Sequence, residues 1–384
     1  MANKIDVAVT LKNLGRKIMS FVEPKYSIVG IDVGSSAIKI AGIKKNGTQT
    51  ELEYAAYRAF NTQALPLDEL EKQAFLAGEI KFCLQAIPKK KFLGATSIAG
   101  SSVIVREAKL PALPSQELEK TLSFEAEPFI PFDVREVTLD YHVIGEVSEE
   151  GQNKYESILI AAKKDLIESR LAVLAGSGIA PAIVDVDAFA VSNLLKLVPS
   201  SAEETSVVVN IGNTITNMVI LEKGTPRLVR DVAVAGNTFS KALQNNLNID
   251  AGATEQAKKE TGIILDEGEI QKIVQEGAQQ KLEISKVLIN VATDLLAEVH
   301  KSTDFYLTHG VDRTIHKIYL SGGGALLRNL APFAKTQMNI PTEVLNPFDY
   351  ISLPAKSSIN IALGPMFSIA CGLALRQWED WIKA

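Results

Sequence analysis

An internal repeat is the feature of this chain that most constrains its fold. Residues 27–45 read SIVGIDVGSSAIKIAGIKK and residues 206–223 read SVVVNIGNTITNMVILEK, so an apolar run, a glycine-containing turn and a second apolar run occur twice. A further strand-like segment follows each copy, at 51–60 and at 227–234. Because helical sequence follows each of these β-meanders, we predict an α/β protein of two related lobes with a cleft between them. Chance recurrence of two hairpins is the alternative, since short apolar strands are common.

Between the two copies lies a segment of different character. Residues 110–144 read LPALPSQELEKTLSFEAEPFIPFDVREVTLDYHVI, in which Ser115 is a candidate N-cap and Pro128 and Pro131 end the helix that follows. Two strand-like runs and a helical pattern complete the segment, at 137–143, 155–162 and 165–176. We predict that it forms a small α/β subdomain inserted into the first lobe, at about 106–180.

The rest of the chain divides around this insertion. We expect an N-terminal extension at 1–25, a first lobe at 26–200 and a second lobe at 201–384, with a helical subdomain at about 238–312. Within the second lobe the pattern predicts helices at 254–262 and 282–308 and a strand at 315–324 that runs into three glycines. The uncharged stretch 357–375 contains Gly364 and Pro365, so a strand, a turn and a helix fit it better than a membrane span.

Charge and residue usage exclude several classes of protein. The net charge of -5 argues against a nucleic-acid partner, because dedicated nucleic-acid binders carry a basic face. The two cysteines, Cys83 and Cys371, lie far apart and match no metal spacing, and the four histidines form no recognisable metal set. The start of the chain has no secretory pattern, so we expect a cytoplasmic protein.

The glycine-containing turns carry groups that suit phosphate. Backbone N–H groups and hydroxyls at Gly34, Ser35 and Ser36 can converge on phosphate oxygens. Asp32 offers a carboxylate to a hydrated Mg²⁺, and Lys39 offers a point charge. A single turn of this kind is more often an ordinary hairpin. The second copy of the repeat contains a similar turn, and a glycine-rich turn follows at 321–324. The occurrence of all three turns in this order along the chain is more specific than any one of them.

This order of features resembles the actin, sugar-kinase and heat-shock-chaperone superfamily. Within it, residues 26–376 resemble the branch that contains FtsA and the PilM family of type IV pilus assembly proteins. The likeness is carried by GIDVGSSAIK, by residues 110–141, and by VDVDAFAVSN, RDVAVAGN and YLSGGGALLRNL. The resemblance implies a two-lobed actin-like (duplicated ribonuclease-H-like) fold with an FtsA-like inserted subdomain in the first lobe.

The resemblance also implies an ATP site, with Mg²⁺ held by Asp32 through water. It assigns four groups of residues to the site. Two turns would bind the phosphates, the first with Asp32, Gly34, Ser35, Ser36 and Lys39 and the second with Asn210, Gly212, Asn213 and Thr214. Glu255 and Lys258 would contact ribose and adenine, and Gly322, Gly323 and Gly324 would pass along the adenosine. Without the resemblance, Glu255 and Lys258 would be interpreted as a surface pair three residues apart on a helix.

Asn210 departs from the superfamily pattern, which has a second aspartate facing the metal. A neutral amide can hydrogen-bond a metal-bound water but supplies no negative charge, so attraction for Mg²⁺ weakens. Asp185 and Asp187 are candidates to orient an attacking water, with a strand end or a helix cap as the alternative for each. We therefore expect at most a slow ATPase, in which ATP acts as a conformational ligand.

The function implied by the resemblance is that of a cytoplasmic ATP-binding scaffold in the type IV pilus inner-membrane assembly complex, which serves twitching motility. Its expected partner is the N-terminal tail of PilN, lying in a groove between the first lobe and the insertion near Phe129 and Phe132. The resemblance leaves self-association open. The alternatives are an FtsA-like cell-division protein and a small-molecule kinase of the same superfold.

The start of the chain is locally basic. Residues 1–50 hold eight Lys or Arg against three Asp or Glu, and four apolar residues share one helical face, namely Leu11, Leu14, Ile18 and Phe21. Such a segment suits an anionic membrane surface or a docking partner, which predicts a peripheral location at the inner-membrane face. An ordinary helix packed on its own lobe is the alternative.

Overall fold

The structure, a computed structural model, describes residues 27–46, 49–87, 92–149, 151–309, 313–354 and 359–376. The predicted N-terminal amphipathic segment lies outside these residues. The strands are β1 (Ser27–Val33), β2 (Ala37–Asn46), β3 (Gln49–Ala59), β4 (Phe92–Ile98), β5 (Val103–Pro111), β6 (Val137–Glu149), β7 (Gln152–Lys163), β8 (Ala180–Val186), β9 (Thr205–Ile211), β10 (Thr216–Glu222), β11 (Thr225–Val232), β12 (Lys317–Ser321) and β13 (Thr342–Val344). The α-helices are α1 (Glu69–Leu84), α2 (Ser115–Ala126), α3 (Lys164–Gly176), α4 (Asp187–Leu195), α5 (Gly236–Leu247), α6 (Ala251–Thr261), α7 (Glu267–Gln275), α8 (Gln279–Thr308), α9 (Leu330–Met338) and α10 (Ser368–Ala374).

The predicted repeat is confirmed as two five-stranded sheets of the same design. The first has the order β3-β2-β1-β4-β8 and the second the order β11-β10-β9-β12-β13. In each, an antiparallel meander comes first, and its first strand then pairs in parallel with the strand that follows the helical sequence. The strand β9 is buried along its whole length, as expected for a strand covered on both faces.

The inserted subdomain is a three-stranded sheet covered by one helix. The sheet has the order β5-β7-β6, and its small core contains Leu110, Leu118, Leu122 and Leu159. The helix begins at Ser115 with Pro114 in the cap position, so the prediction of Ser115 as N-cap is wrong by one residue. The chain already has the fixed φ of a helix start at Pro114, and its carbonyl accepts from Glu117 N at 2.8 Å.

The helix α3, predicted to belong to the insertion, packs instead on the first lobe. Its apolar residues Val173 and Leu174 share one core with β1 and with Ile80 of α1. The strand β8 that follows is the edge of the first sheet. The inserted subdomain therefore comprises residues 103–163 in the structure.

The second lobe carries the helical subdomain. The predicted helices at 254–262 and 282–308 are confirmed as α6 and α8. The long helix α8 buries Leu288, Val291 and Leu295 against the second sheet. Among the described helices, none combines the length and the apolar character needed to cross a membrane.

The end of the described chain returns to the first lobe. A 3₁₀ segment at Ile361–Phe367 leads into α10, so the strand predicted in this stretch is not found among residues 359–376. Asn360 caps the 3₁₀ segment and Pro365 lacks the N–H that a central strand needs, which explains the difference. The helix α10 packs on α4 and on β1, and its residues join a core that includes Ile28 of the first sheet and Val208 of the second.

The contact between α4 and α10 requires a glycine. A Cβ on Gly372 would lie 1.7 Å from the carbonyl oxygen of Ala190, which is a backbone atom and cannot rotate away. The two helices thus approach with no side chain between them at this point. Because both lie between the sheets, this approach sets how the lobes meet.

We expect Gly372→Ala to lower the free energy of unfolding by about 2 kcal/mol or more, because the new methyl group forces the two helices apart. Gly78→Ala is the matched control: Gly78 lies in α1 with nothing within 4 Å of its Cβ position, so alanine should raise stability by up to about 1 kcal/mol. Urea unfolding of the wild type and both variants measures the difference. Equal stability of the two variants would contradict the close approach.

Candidate functional site

Two turns, one from each repeat, face one another across the cleft. Each is closed by a backbone hydrogen bond, from Gly34 N to Ala37 O at 3.1 Å and from Gly212 N to Ile215 O at 3.0 Å. The Thr214 hydroxyl donates to Ser35 Oγ at 3.0 Å, so the turns contact each other directly. They border a cavity of about 380 Å³, which is also lined by Asn210, Asn213 and Gly323. The fold therefore brings together the two turns that the sequence predicts to bind phosphate, which we call the first and second phosphate turns.

A buried ion pair lies at the base of the first turn. Lys39 Nζ donates to Asp32 Oδ2 at 3.0 Å, and the two side chains are only 13% and 9% exposed. Their neighbourhood follows from the strand register, because the two residues are direct partners on β1 and β2. The cleft thus holds one carboxylate and one ammonium group side by side, both facing the cavity.

A second carboxylate, Asp187, enters the cleft at the start of α4. Burial, and next the negative charge of Asp32, raise the pKa of Asp187 to about 6, against the opposing effects of a hydrogen bond with Ser97 and the charge of Arg170. Such a carboxyl group is poised to change protonation near neutral pH. The sequence-based candidate Asp187 therefore lies in the cavity, close to the first phosphate turn.

Asp185, the other candidate, is engaged elsewhere. Its Oδ2 accepts from Nε and Nη2 of Arg376 at 2.8 and 2.6 Å. It is not among the residues that line the cleft. Asp185 is therefore the partner of Arg376 after α10, and of the two candidates only Asp187 lines the cavity.

Arg170 is a cleft residue that the sequence reasoning missed. It lies on α3, and its Nη1 donates to the carbonyl of Val33 at 3.0 Å, directly before the first phosphate turn. Burial lowers the pKa of its guanidinium, and the nearby carboxylates of Asp187 and Asp32 act in the opposite direction. No local motif marks it, because its position depends on α3 packing on the first sheet.

Asn210 lies in the cleft as predicted, but its amide is already bound on one side. Its Nδ2 donates to Asn217 Oδ1 at 3.1 Å, and Asn217 Nδ2 donates to Asp231 Oδ1 at 2.8 Å. Asn217 also lines the cavity. The unusual amide at position 210 is therefore part of a hydrogen-bonded set of three side chains, two of which the sequence reasoning did not select.

Only some of the residues predicted to contact ribose, adenine or adenosine line the cavity. Gly322 has φ of 78° and, with Gly323, lines the cavity, whereas a Cβ on Gly324 would meet the side chain of Ile211. Glu255 and Lys258 form an ion pair on α6, and Lys258 Nζ donates to Ser240 Oγ at 2.9 Å and to the carbonyl of Gly236 at 3.3 Å. Gly236 begins α5 and donates to Gly212 O, so this pair lies behind the second phosphate turn rather than along the cavity wall.

Two duplicated lobes with paired turns across a cleft define an actin-like fold. A solved structure of a PilM–PilN type IV pilus biogenesis complex matches 92% of this chain and 98% of its own, with 27% identity and a TM-score of 0.75. The chain belongs to the PilM family of type IV pilus assembly proteins, whose family model matches residues 30–378. The ethanolamine utilization protein EutJ from Carboxydothermus hydrogenoformans shares the fold, with 14% identity over 95% of this chain and 99% of its own and a TM-score of 0.51.

We expect Asp187→Asn to become progressively more stable than the wild type as pH rises from 4 to 7. The folded wild type keeps a proton on Asp187 up to about pH 6, whereas the unfolded chain releases it near the ordinary value of about 4, so rising pH destabilises only the wild type. The difference should reach about 2.7 kcal/mol at pH 7.

Urea unfolding at a series of pH values checks this expectation. The same substitution at the exposed Asp294 of α8 controls for the removal of one negative charge. A stability difference between Asp187→Asn and wild type that does not vary with pH would contradict the environment described for this carboxyl group.

Proposed function

We propose that this chain binds ATP with Mg²⁺ between its lobes and acts as a scaffold of the type IV pilus inner-membrane assembly complex. The observation that carries the proposal is the direct meeting of the two repeated turns, at Ser35 and Thr214, across one cleft. Turns of this kind present backbone N–H groups and hydroxyls to anions. Membership of the PilM family supports the pilus assignment.

The phosphates, the metal and the adenosine would each meet a different part of the cleft. The β- and γ-phosphates would lie between the turns at Gly34–Ser36 and Gly212–Thr214, with Lys39 as their positive charge. Asp32, a carboxylate facing the cavity, fits a hydrated Mg²⁺, since this ion keeps most of its waters and binds one or two carboxylates. Gly322 and Gly323 leave room for the flat adenosine, because neither carries a side chain.

The same residues favour slow hydrolysis. Asp187 has the raised pKa of a group that can accept a proton from water, which supports a role in orienting an attacking water. The metal would nevertheless be held by one carboxylate, because Asn210 supplies no charge where a second would stand. ATP then acts chiefly as a ligand that fixes how the lobes close.

The inserted subdomain offers a surface for a peptide partner. In the solved PilM–PilN complex the PilM chain is bound to PilN, and we propose the N-terminal tail of PilN as the partner here. Among the residues described in this subdomain, Phe124, Phe129 and Val143 are large apolar side chains with at least 37% of their surface exposed. The outer edge of β6 pairs with no other described strand, so an extended peptide has both backbone and apolar contacts available.

The proposed location follows from the partner. A scaffold that binds the tail of an inner-membrane protein would lie at the cytoplasmic face of that membrane and serve pilus-dependent twitching motility. A small-molecule kinase remains the second candidate for the cleft, because sugar kinases share the duplicated fold. It would consume ATP only when its substrate is present.

We expect ATP with Mg²⁺ at 100 times its dissociation constant to stabilise the wild type by about 2.7 kcal/mol, by mass action. Lys39→Ala and Asp32→Ala should lose this stabilisation. The first removes the positive charge that would face the phosphates, and the second removes the carboxylate that would face the metal. Lys44→Ala is the matched control, an exposed lysine further along β2. Thermal unfolding with and without ATP measures the effect, and a wild-type response in both cleft variants would show that the phosphates bind elsewhere.

We expect a synthetic PilN N-terminal peptide to bind the ATP-loaded and nucleotide-free protein with different affinities. By linkage, the peptide must then change the affinity for ATP by the same factor. Calorimetric titration of the peptide into both forms tests this expectation. Equal affinities would limit the nucleotide to a structural role, and phosphate release at several per second in steady state would contradict the slow site.

A further inference from the structure

Three polar side chains cross the second sheet in one line. Asn210, Asn217 and Asp231 are direct register partners on the adjacent strands β9, β10 and β11. One hydrogen bond joins each neighbouring pair, at 3.1 and 2.8 Å. We call these three residues the polar ladder. Asn210 is 5% and Asn217 4% exposed, so the ladder runs through the interior from the cleft to the edge of the sheet.

The direction of the hydrogen bonds is determined by the last residue. A carboxylate can only accept, so Asn217 must present its NH₂ group to Asp231 and its oxygen to Asn210. Asn210 must therefore donate to Asn217, which leaves its own oxygen free to face the cleft side. A Cβ on Gly322 would lie 2.8 Å from that oxygen, which confirms that Asn210 Oδ1 points toward the glycine-rich turn.

The ladder ends on the other lobe. The second carboxylate oxygen of Asp231 accepts from the backbone N–H of Gly100 at 2.6 Å. Gly100 has φ of 99°, and a Cβ there would meet Ile215 of the second phosphate turn at 3.2 Å, so the lobes touch closely at this point. Gly100 belongs to the turn that joins β4 to β5, and β5 is the first strand of the inserted subdomain.

A second contact joins the same edge strand to the same subdomain. Arg227 of β11 lies with its Nη1 3.3 Å from Glu156 of β7 and 3.9 Å from Glu107 of β5. Its Nε also pairs with Glu222 of β10 at 3.0 Å. The edge strand β11 therefore holds the inserted subdomain at two points, the turn before β5 and the face of its sheet.

We propose that Asp231 is a positioning residue that couples the cleft to the inserted subdomain through the polar ladder. The proposal rests on the proposed function, since it needs a nucleotide in the cleft and a partner on the insertion. Asn210 Oδ1 would accept a hydrogen bond from a Mg²⁺-bound water, which would change the hydrogen bond that the same amide donates to Asn217. Each amide in the ladder has only one orientation in which it completes the hydrogen bond to its neighbour. A change at Asn210 therefore reaches Asp231, Gly100 and β5.

Amide hydrogen exchange on the full chain, with and without ATP and Mg²⁺, tests the coupling. In the wild type, ATP should slow exchange both at the phosphate turn 34–36 and in 100–111, the turn and strand at the entrance of the insertion. Asp231→Asn keeps the shape but presents an NH₂ group where either Asn217 or Gly100 needs an acceptor. Without nucleotide, this variant should exchange the Gly100 amide about tenfold faster than the wild type, since a hydrogen bond to a charged group is lost.

With ATP, Asp231→Asn should still show protection at 34–36 but none at 103–111. Asn217→Ala provides a second variant that leaves the bond between Asp231 and Gly100 in place: it should keep slow exchange at Gly100 and lose the ATP response at 103–111. Asp294→Asn, an exposed aspartate on α8, is the control and should behave as the wild type.

The outcomes separate the inference from the proposed function. Wild-type protection by ATP at 34–36 without any at 103–111 would overturn the coupling and leave nucleotide binding intact. The same ATP response at 103–111 in the wild type and in both ladder variants would also overturn it. An absence of ATP protection anywhere in the wild type would refute the nucleotide site, and with it the coupling.

Discussion

The close approach of α4 and α10 between the two sheets is the contact on which the site depends. The chain enters the second lobe through α4 and returns to the first through α10, and these helices touch at Ala190 and Gly372 without a side chain between them. One core continues from Ile28 of the first sheet to Val208 of the second across this contact. Because each phosphate turn is attached to the end of a central strand in its own sheet, fixing the helices also fixes the distance between the turns.

The charges of the cleft depend on this arrangement. Asp187 is the first residue of α4, so the same helix that joins the lobes also brings a second carboxylate close to Asp32. The negative charge of Asp32 raises the pKa of Asp187, while the positive charge of Arg170 acts in the opposite direction and Lys39 forms an ion pair with Asp32. The cleft consequently contains two carboxyl groups and two basic side chains. A phosphate would add negative charge to this set, and a magnesium ion would add positive charge.

The sequence predicts what local pattern determines and misses what distant segments determine. The hairpin that begins each sheet and its glycine-containing turn follow from a repeat of apolar runs around glycine, which can be recognised within about 20 residues. The ion pair of Asp185 with Arg376 was not foreseen because the two residues are 191 positions apart, and Asp231 was not selected because it meets Gly100 across 131 positions. Arg170 was missed for the same reason, since α3 was assigned to the inserted subdomain when it covers the first sheet.

The amide at position 210 can be explained by the sheet as well as by the metal. In a strand whose neighbours carry Asn217 and Asp231 at the same level, the residue nearest the cleft must donate a hydrogen bond. An aspartate cannot do this, and if Asn217 rotated to serve an aspartate, its oxygen would face Asp231. Two acceptors would then be buried against each other, at a cost of about 1–3 kcal/mol. Asn210 therefore has two consequences with one structural cause: it continues the line of hydrogen bonds from the cleft to Gly100, and it supplies no second negative charge to the magnesium ion that we propose for the cleft.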